Sequence, residues 1–271
     1  MTFEQHISGN IEYLERPGSI GGPVLVMLHG IGSNAASFTP LLDHLPRDWR
    51  VIAWNAPGYG GSIPLDAEWP LALDYAAALK DFLDRLELKR VLLAGHSLGC
   101  LIGAAYAAAH RERVVRLLLS SPALGHGVPC GGALSAAAQA RIDDLQTLGP
   151  DGFAALRAPR LVFEPESNPE IVRYVRDGMA RVSLPGYPKA ARMLASGRLI
   201  DDAERLQVPT DVIVGAHDVV TPPDSARRAH AALRHPWRGA FTLVPGAGHA
   251  LYQQAPVAFA AALAALAETV G

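Results

Sequence analysis

The stretch GHSLG, residues 95–99, sets a serine between two glycines directly after the apolar run VLLA. Glycine costs roughly 0.5–1 kcal/mol inside a strand or a helix, so Gly95 and Gly99 point to a need for space around Ser97. A serine hydroxyl is a poor nucleophile at neutral pH. It becomes one when a base takes its proton and a third group orients that base. Downstream, VIVGAHDVVTPP carries Asp218 and FTLVPGAGHALY carries His249, each just past an apolar run. Taken alone, an aspartate there reads as a turn or cap residue, and a lone histidine as structural or solvated. Together with Ser97 they have the residue types for acyl transfer. That chemistry also needs N–H donors for an oxyanion. A helix opening after Ser97 offers the N–H of Leu98, aided by the helix dipole.

These residues need elements to hold them. Short apolar runs recur at 24–29, 50–55, 90–95, 114–120, 210–215 and 240–245. They are β-branched and Leu-rich without polar alternation, the pattern of strands buried on both faces of a parallel sheet. Helical spacing lies between them at 34–45 (Phe38, Leu41, Leu42, Leu45), at 71–86 and at 98–110, and a helix with Pro256 in its first turn covers 256–270. Strand alternating with helix predicts an α/β fold, a mostly parallel sheet flanked by helices. EQHIS and IEYLER, around Gly9-Asn10, read as an antiparallel hairpin. The alternation breaks once. From 122 to 206 only helical patterns appear, at 133–148 and at 168–182, the latter with Asn168 as N-cap and Pro169 at N1. The expected organisation is a core of 1–121 and 207–271 with a helical cap, 122–206, inserted between two late strands.

A strand, a tight turn bearing G-x-S-x-G and a helix form the nucleophile elbow, and the chain resembles the serine branch of the α/β-hydrolase family, among it small carboxylesterases and enol-lactonase-like enzymes. The resemblance covers nearly all of the chain outside the cap and includes a Gly-x-x-Asp-x-x-x-Pro segment followed by Gly-x-Gly-His. It implies Ser97 as nucleophile, Asp218 as acid and His249 as base, in the family order. In the loop HGIGSNAASF it implies the N–H of Ile31 as the second oxyanion donor, with Gly30 and Gly32 allowing close approach; Ser33 or Asn34 caps the next helix. NAPGYGGS departs from the family's usual Asp at its first position, where Asn55 stands, and reads as structural. His96 and His217 also read as structural. Asp211 sits at the wrong end of its strand. Asp143, Asp144, Asp201 and Asp202 read as surface charge, as do Arg141, Arg160, Arg173 and Arg192, any one of which could meet a substrate carboxylate.

The resemblance implies cleavage of a small carboxylic ester or lactone, with carbon–carbon hydrolysis of a diketone as the alternative. More distant are a ligand receptor on the same fold and a cofactor-free oxygenase. Dehalogenases and epoxide hydrolases of this fold attack with Asp, and residue 97 is Ser. The 271 residues are 49% hydrophobic and 18% charged with a net charge of −2, which fits one large buried core and argues against disorder. No basic run suggests nucleic acid. Cys100 and Cys130 form neither a disulfide framework nor a metal spacing. No motif requires a metal or cofactor, and the expected partner is a small-molecule substrate. Charges within the first dozen residues leave no signal-peptide core, and no apolar run is long enough to span a bilayer. The expected location is cytoplasmic.

Overall fold

Apolar side chains on both faces of the central strands dictate a layered molecule. The computed structural model describes residues 2–268. Its strands are β1 (Glu4–Ser8), β2 (Ile11–Arg16), β3 (Val24–Leu28), β4 (Arg50–Trp54), β5 (Val91–His96), β6 (Val114–Ser120), β7 (Thr210–Gly215) and β8 (Arg238–Val244). They form one sheet in the order β1-β2-β4-β3-β5-β6-β7-β8. The hairpin β1–β2 and the β2–β4 pair are antiparallel, and every pair from β4 to β8 is parallel. The helices are α1 (Ala72–Arg85), α2 (Leu98–Ala109), α3 (Ala136–Arg157), α4 (Pro169–Met179), α5 (Gly186–Ser196), α6 (Leu199–Arg205), α7 (Pro223–Ala232), α8 (Leu251–Gln254) and α9 (Pro256–Glu268).

Strand residues alternate between two cores. Val26, Leu28, Ile52 and Leu93 meet Tyr75, Leu79 and Phe82 of α1 and the buried face of α2. Leu25, Met27, Val51 and Leu92 meet Phe38, Leu41 and, from α9, Phe259 and Leu263. The chain passes from β3 to β4 on one side, then returns to place β5 on the other side of β3. In open α/β sheets the crevice for a ligand opens at such a reversal, beyond the carboxyl ends of the strands. The loop after β3 and the turn after β5 meet there. Between β6 and β7, α3, α4 and α5 rise over that edge, while α6 packs on α2 and α7. Among the described residues no helix is long and apolar enough to cross a membrane.

Several local expectations need correction. The 34–45 pattern forms a 3-10 helix over Ala35–Leu41. Asn34 caps it by accepting from the Ala36 N–H, and Pro40 has no N–H to extend an α-helical ladder. The apolar stripe of Phe38, Leu41, Leu42 and Leu45 is nonetheless fully buried. The run at 240–245 is not buried on both faces: β8 is an edge strand and most of it is exposed. The helix read over 133–148 continues to Arg157 across a kink at Gly149, φ 67°, just before Pro150. Asn168 does not cap α4 with its side chain; its amide donates back to the carbonyls of Phe163 and Glu164, both at 3.0 Å. The C-terminal helix is described through Glu268, so positions 269 and 270 of the expected span lie outside the described residues.

Candidate active site

The elbow is built by backbone contacts. β5 ends at His96, and Ser97 takes φ 52° and ψ −111° before α2 begins at Leu98. A non-glycine residue in that region is strained by on the order of 1–3 kcal/mol and persists only where its surroundings enforce it. They do so here. The Ser97 N–H donates to Ser120 O at 2.9 Å, and Ser97 O accepts from Cys100 N at 3.1 Å. A side chain at Gly95 would run into the Gly99 carbonyl, and one at Gly99 into the carbonyls of Leu28 and His29. Strand, turn and helix are therefore closer than any Cβ permits. A Cβ at Gly30 would lie 3.0 Å from that of Ser97, which brings the loop after β3 directly beside the serine.

Asp218 and His249 are brought together from the loops after β7 and β8. His249 Nδ1 donates to Asp218 Oδ2 at 2.8 Å, and both side chains are buried. The other oxygen, Oδ1, accepts from the N–H groups of Val220 and Thr221, each at 2.9 Å. Burial alone would raise this carboxyl. The charge and hydrogen bond of His249, with the Thr221 N–H, outweigh it and hold Asp218 down at about 2. Thr221 Oγ1 lies 2.9 Å from Ser121 O, 3.0 Å from Asp218 Oδ2 and 3.1 Å from His249 Nδ1. That hydroxyl ties the pair to the end of β6, a role no sequence motif marks. Only its position three residues after Asp218, where a turn hydroxyl folds back, hints at it.

Ser97 and His249 both line one cavity of about 340 Å³, with Ile31 and Gly32 at the same wall. The Ser97 hydroxyl makes no hydrogen bond to His249; such contacts are commonly long until substrate binds. The N–H groups of Ile31 and Leu98 donate to no acceptor among the described residues. Gly32, at φ 74°, faces Met179 of α4. The inserted segment is fastened above this loop: Asn34 Nδ2 donates to Gly178 O at 2.9 Å and the Tyr174 hydroxyl to Ala36 O at 2.8 Å.

The neighbouring histidines are structural. His29 Nδ1 donates to Gly30 O at 2.9 Å and its Nε2 accepts from the Ala56 N–H at 3.1 Å. Burial pushes it down to about 4. His96 shares a hydrogen bond with Ser120 Oγ, and its ring lies 4.9 Å from that of His249. Burial and then the His249 charge push it well below an ordinary histidine. His217 stacks on Phe163. Asn55 also has a structural use: its oxygen accepts from Ala35 N while its amide donates to Glu12. An aspartate could not make the second bond. Asp211 forms a bidentate pair with Arg116, at 2.8 and 2.9 Å.

The charges of the inserted segment do not all lie at the surface. Asp144 pairs with Arg157, and Asp202 is largely buried beside Arg205. Arg141 and Arg160 line the cavity, joined by Arg157, which no sequence pattern singles out. The three positions follow no helical period, because the kink at Gly149 separates the first from the others.

The family model described as "Alpha/beta hydrolase family" matches residues 25–262. RutD of Shigella flexneri, named as a carbamate hydrolase, is 26% identical over 262 residues, covering 92% of this chain and 93% of its own. The enol-lactonase from Burkholderia xenovorans superposes with a TM-score of 0.83 at 23% identity, over 97% of this chain and 99% of its own. A thermophilic esterase from Thermogutta terrifontis, in a malate-bound structure, gives 0.83 at 23% identity over 100% and 99%. At those identities the two structures bear on the fold, and the family rests on the first match: this chain belongs to the alpha/beta hydrolase family.

Proposed function

We propose that this protein is a serine hydrolase that cleaves a small carboxylic ester or lactone through an acyl-enzyme. The observation that carries the reading is the strained Ser97 opening on the same cavity as the buried His249–Asp218 pair. Ser97 Oγ attacks the carbonyl carbon while His249 Nε2 takes its proton. The resulting oxyanion sits between the unpaired N–H groups of Ile31 and Leu98. Collapse breaks the bond to the leaving oxygen, which takes the proton back from His249. Water repeats the sequence on the acyl-enzyme and releases the acid. Asp218 stays ionised throughout and holds His249 with Nε2 toward the serine. Relatives named for esters, lactones and carbamates fit attack at a carbonyl of this kind. Residues 122–206 act as the cap that selects the substrate, because α3, α4 and α5 close the cavity above Ser97.

The test is turnover of p-nitrophenyl butyrate. Ser97→Ala and His249→Ala should each lower kcat by roughly 10⁴–10⁶-fold, and the double variant should be little worse than either, since the residues act as one unit. Wild-type turnover that survives Ser97→Ala within tenfold would place the reaction elsewhere. A protein that binds the ester without releasing p-nitrophenol would be a receptor.

A further inference from the structure

The cavity above Ser97 is electrically lopsided. Three arginines, Arg141, Arg157 and Arg160, line it, and among the described residues no aspartate or glutamate does. Arg157 donates to Asp144 at 2.5 Å and lies over the Phe153 ring at 5.2 Å, so it is partly neutralised. Arg141 and Arg160 have no carboxylate within 4.0 Å among the described residues. Elsewhere in the inserted segment the arginines mostly pair at once: Arg173 with Glu170, Arg198 with Asp201, Arg205 with Asp202. Three guanidiniums against the carboxylates of Asp144 and of Asp218, buried behind His249, leave a formal excess of one positive charge at the cavity. Tyr187, buried and pushed up to about 12 by that burial, adds a protonated hydroxyl to the same lining.

We propose that the acid portion of the substrate ends in a carboxylate, gripped by Arg141 and Arg160 while the reacting carbonyl meets Ser97; this rests on the hydrolase reading above. A guanidinium offers a planar fork that matches a carboxylate in two parallel hydrogen bonds. Arg141 is half-buried, and there such a contact is stronger than in bulk solvent; Arg160 is exposed at the rim. Leu161, Met179 and Leu194 line the same cavity with apolar surface. A cavity of about 340 Å³ suits a chain of a few methylenes. The class that fits is a half-ester of a short dicarboxylic acid, or a lactone bearing a free carboxylate.

The experiment compares monomethyl glutarate with dimethyl glutarate, following methanol release at equal ionic strength. The half-ester should have a kcat/KM at least about tenfold higher, and the difference should lie in KM. Arg141→Gln with Arg160→Gln should reduce that ratio by about tenfold or more. Should the double variant fail to fold by circular dichroism, the wild type still decides. Its preference should shrink as NaCl is raised to about 0.5 M, and glutarate should inhibit competitively. A preference for the diester, or a ratio indifferent to both salt and the double variant, overturns the inference. So does a methyl phosphonobutyrate that outcompetes the carboxylate, which would assign the site to phosphonates and phosphates. If the diester is turned over through Ser97 with no preference, this inference alone fails. If neither ester is cleaved and Ser97 resists a fluorophosphonate, the hydrolase reading fails with it.

Discussion

The turn after β5 and the inserted segment face each other across one cavity, and different forces hold them. At the turn every residue from Val91 to Ala107 is buried, and its shape is enforced by backbone against backbone: Gly95 on Gly99, Gly99 on Leu28 and His29. The inserted segment is uneven: α5 buries seven of its eleven residues, whereas α4 buries only Val175 and Met179, and α3, which carries Arg141 and Arg157, only Ile142, Leu145, Phe153 and Ala154 along its 22 residues. Backbone contacts join it to the core in places, among them the Ala250 N–H to Leu161 O at 2.7 Å and the close approach of Gly186 to Gly58; elsewhere single side-chain bonds do so, such as Ser183 Oγ to Gly58 O and Lys189 Nζ to Leu65 O. Backbone geometry resists change, because no side-chain substitution relieves a clash with a carbonyl. Side-chain bonds can be exchanged one at a time. Ser97, the proposed nucleophile, is thus on the part least able to vary, and Arg141 and Arg157 are on a helix, α3, with few buried side chains to hold it.

That contrast can be broken most severely at Gly99. Gly99→Val would drive its side chain into fixed carbonyls and should cost on the order of 3 kcal/mol or more. At this chain length each kcal/mol moves Tm by about 2–4 °C. Ser183→Ala, which removes one fastening of the inserted segment, should cost about 1 kcal/mol. Equal losses from the two would erase the distinction between the regions.

The second challenge is acid. His29 sits under the loop after β3 with its folded-state value pushed down to about 4. An unfolded histidine titrates near 6.5, so as pH falls from about 6.5 toward 4 the unfolded chain takes a proton that the folded chain refuses. Stability should therefore drop through that window, by about 3 kcal/mol from this residue. His96 adds in the same direction. Asp218, held down at about 2, keeps its contribution above about 4 and loses it only as pH falls further, so it does not explain the same window. Urea midpoints should fall steadily from pH 7 to 4.5 in the wild type and less steeply in His29→Gln. Midpoints flat over that range would mean the floor of the site is more hydrated than its burial implies.

The smallest effect sharpens the comparison. Ser97→Gly should abolish turnover yet leave stability unchanged or raised by up to roughly 2 kcal/mol, since glycine relieves the positive φ but adds unfolded-state entropy. A variant several degrees less stable than the parent would mean the turn carries no strain.

Legibility in the sequence divides along the same line. Gly95 and Gly99 are legible because backbone crowding leaves only glycine to fit, Ser97 because it stands between them at the end of an announced strand, and Asp218 and His249 because they come after strands that their own apolar runs announce. The central strands are legible because both faces bury apolar side chains. β8 is not: an edge strand with the same apolar content is exposed, and its position depends on the order of the whole sheet. The 3-10 helix at Ala35–Leu41 keeps the apolar stripe of an α-helix, and Pro40 is the signal against one. The arginines of the cavity have no local signature, because a kinked helix and the turn beyond it collect them from distant positions.

In the proposed mechanism the strained turn makes Ser97 the nucleophile. Incubating the protein with a small fluorophosphonate and mapping the adduct by mass spectrometry tests it most directly. One adduct per chain is expected, on Ser97, absent from Ser97→Ala and formed far more slowly in His249→Ala. Stoichiometric labelling of another residue, or a Ser97 that reacts equally fast without His249, would contradict it.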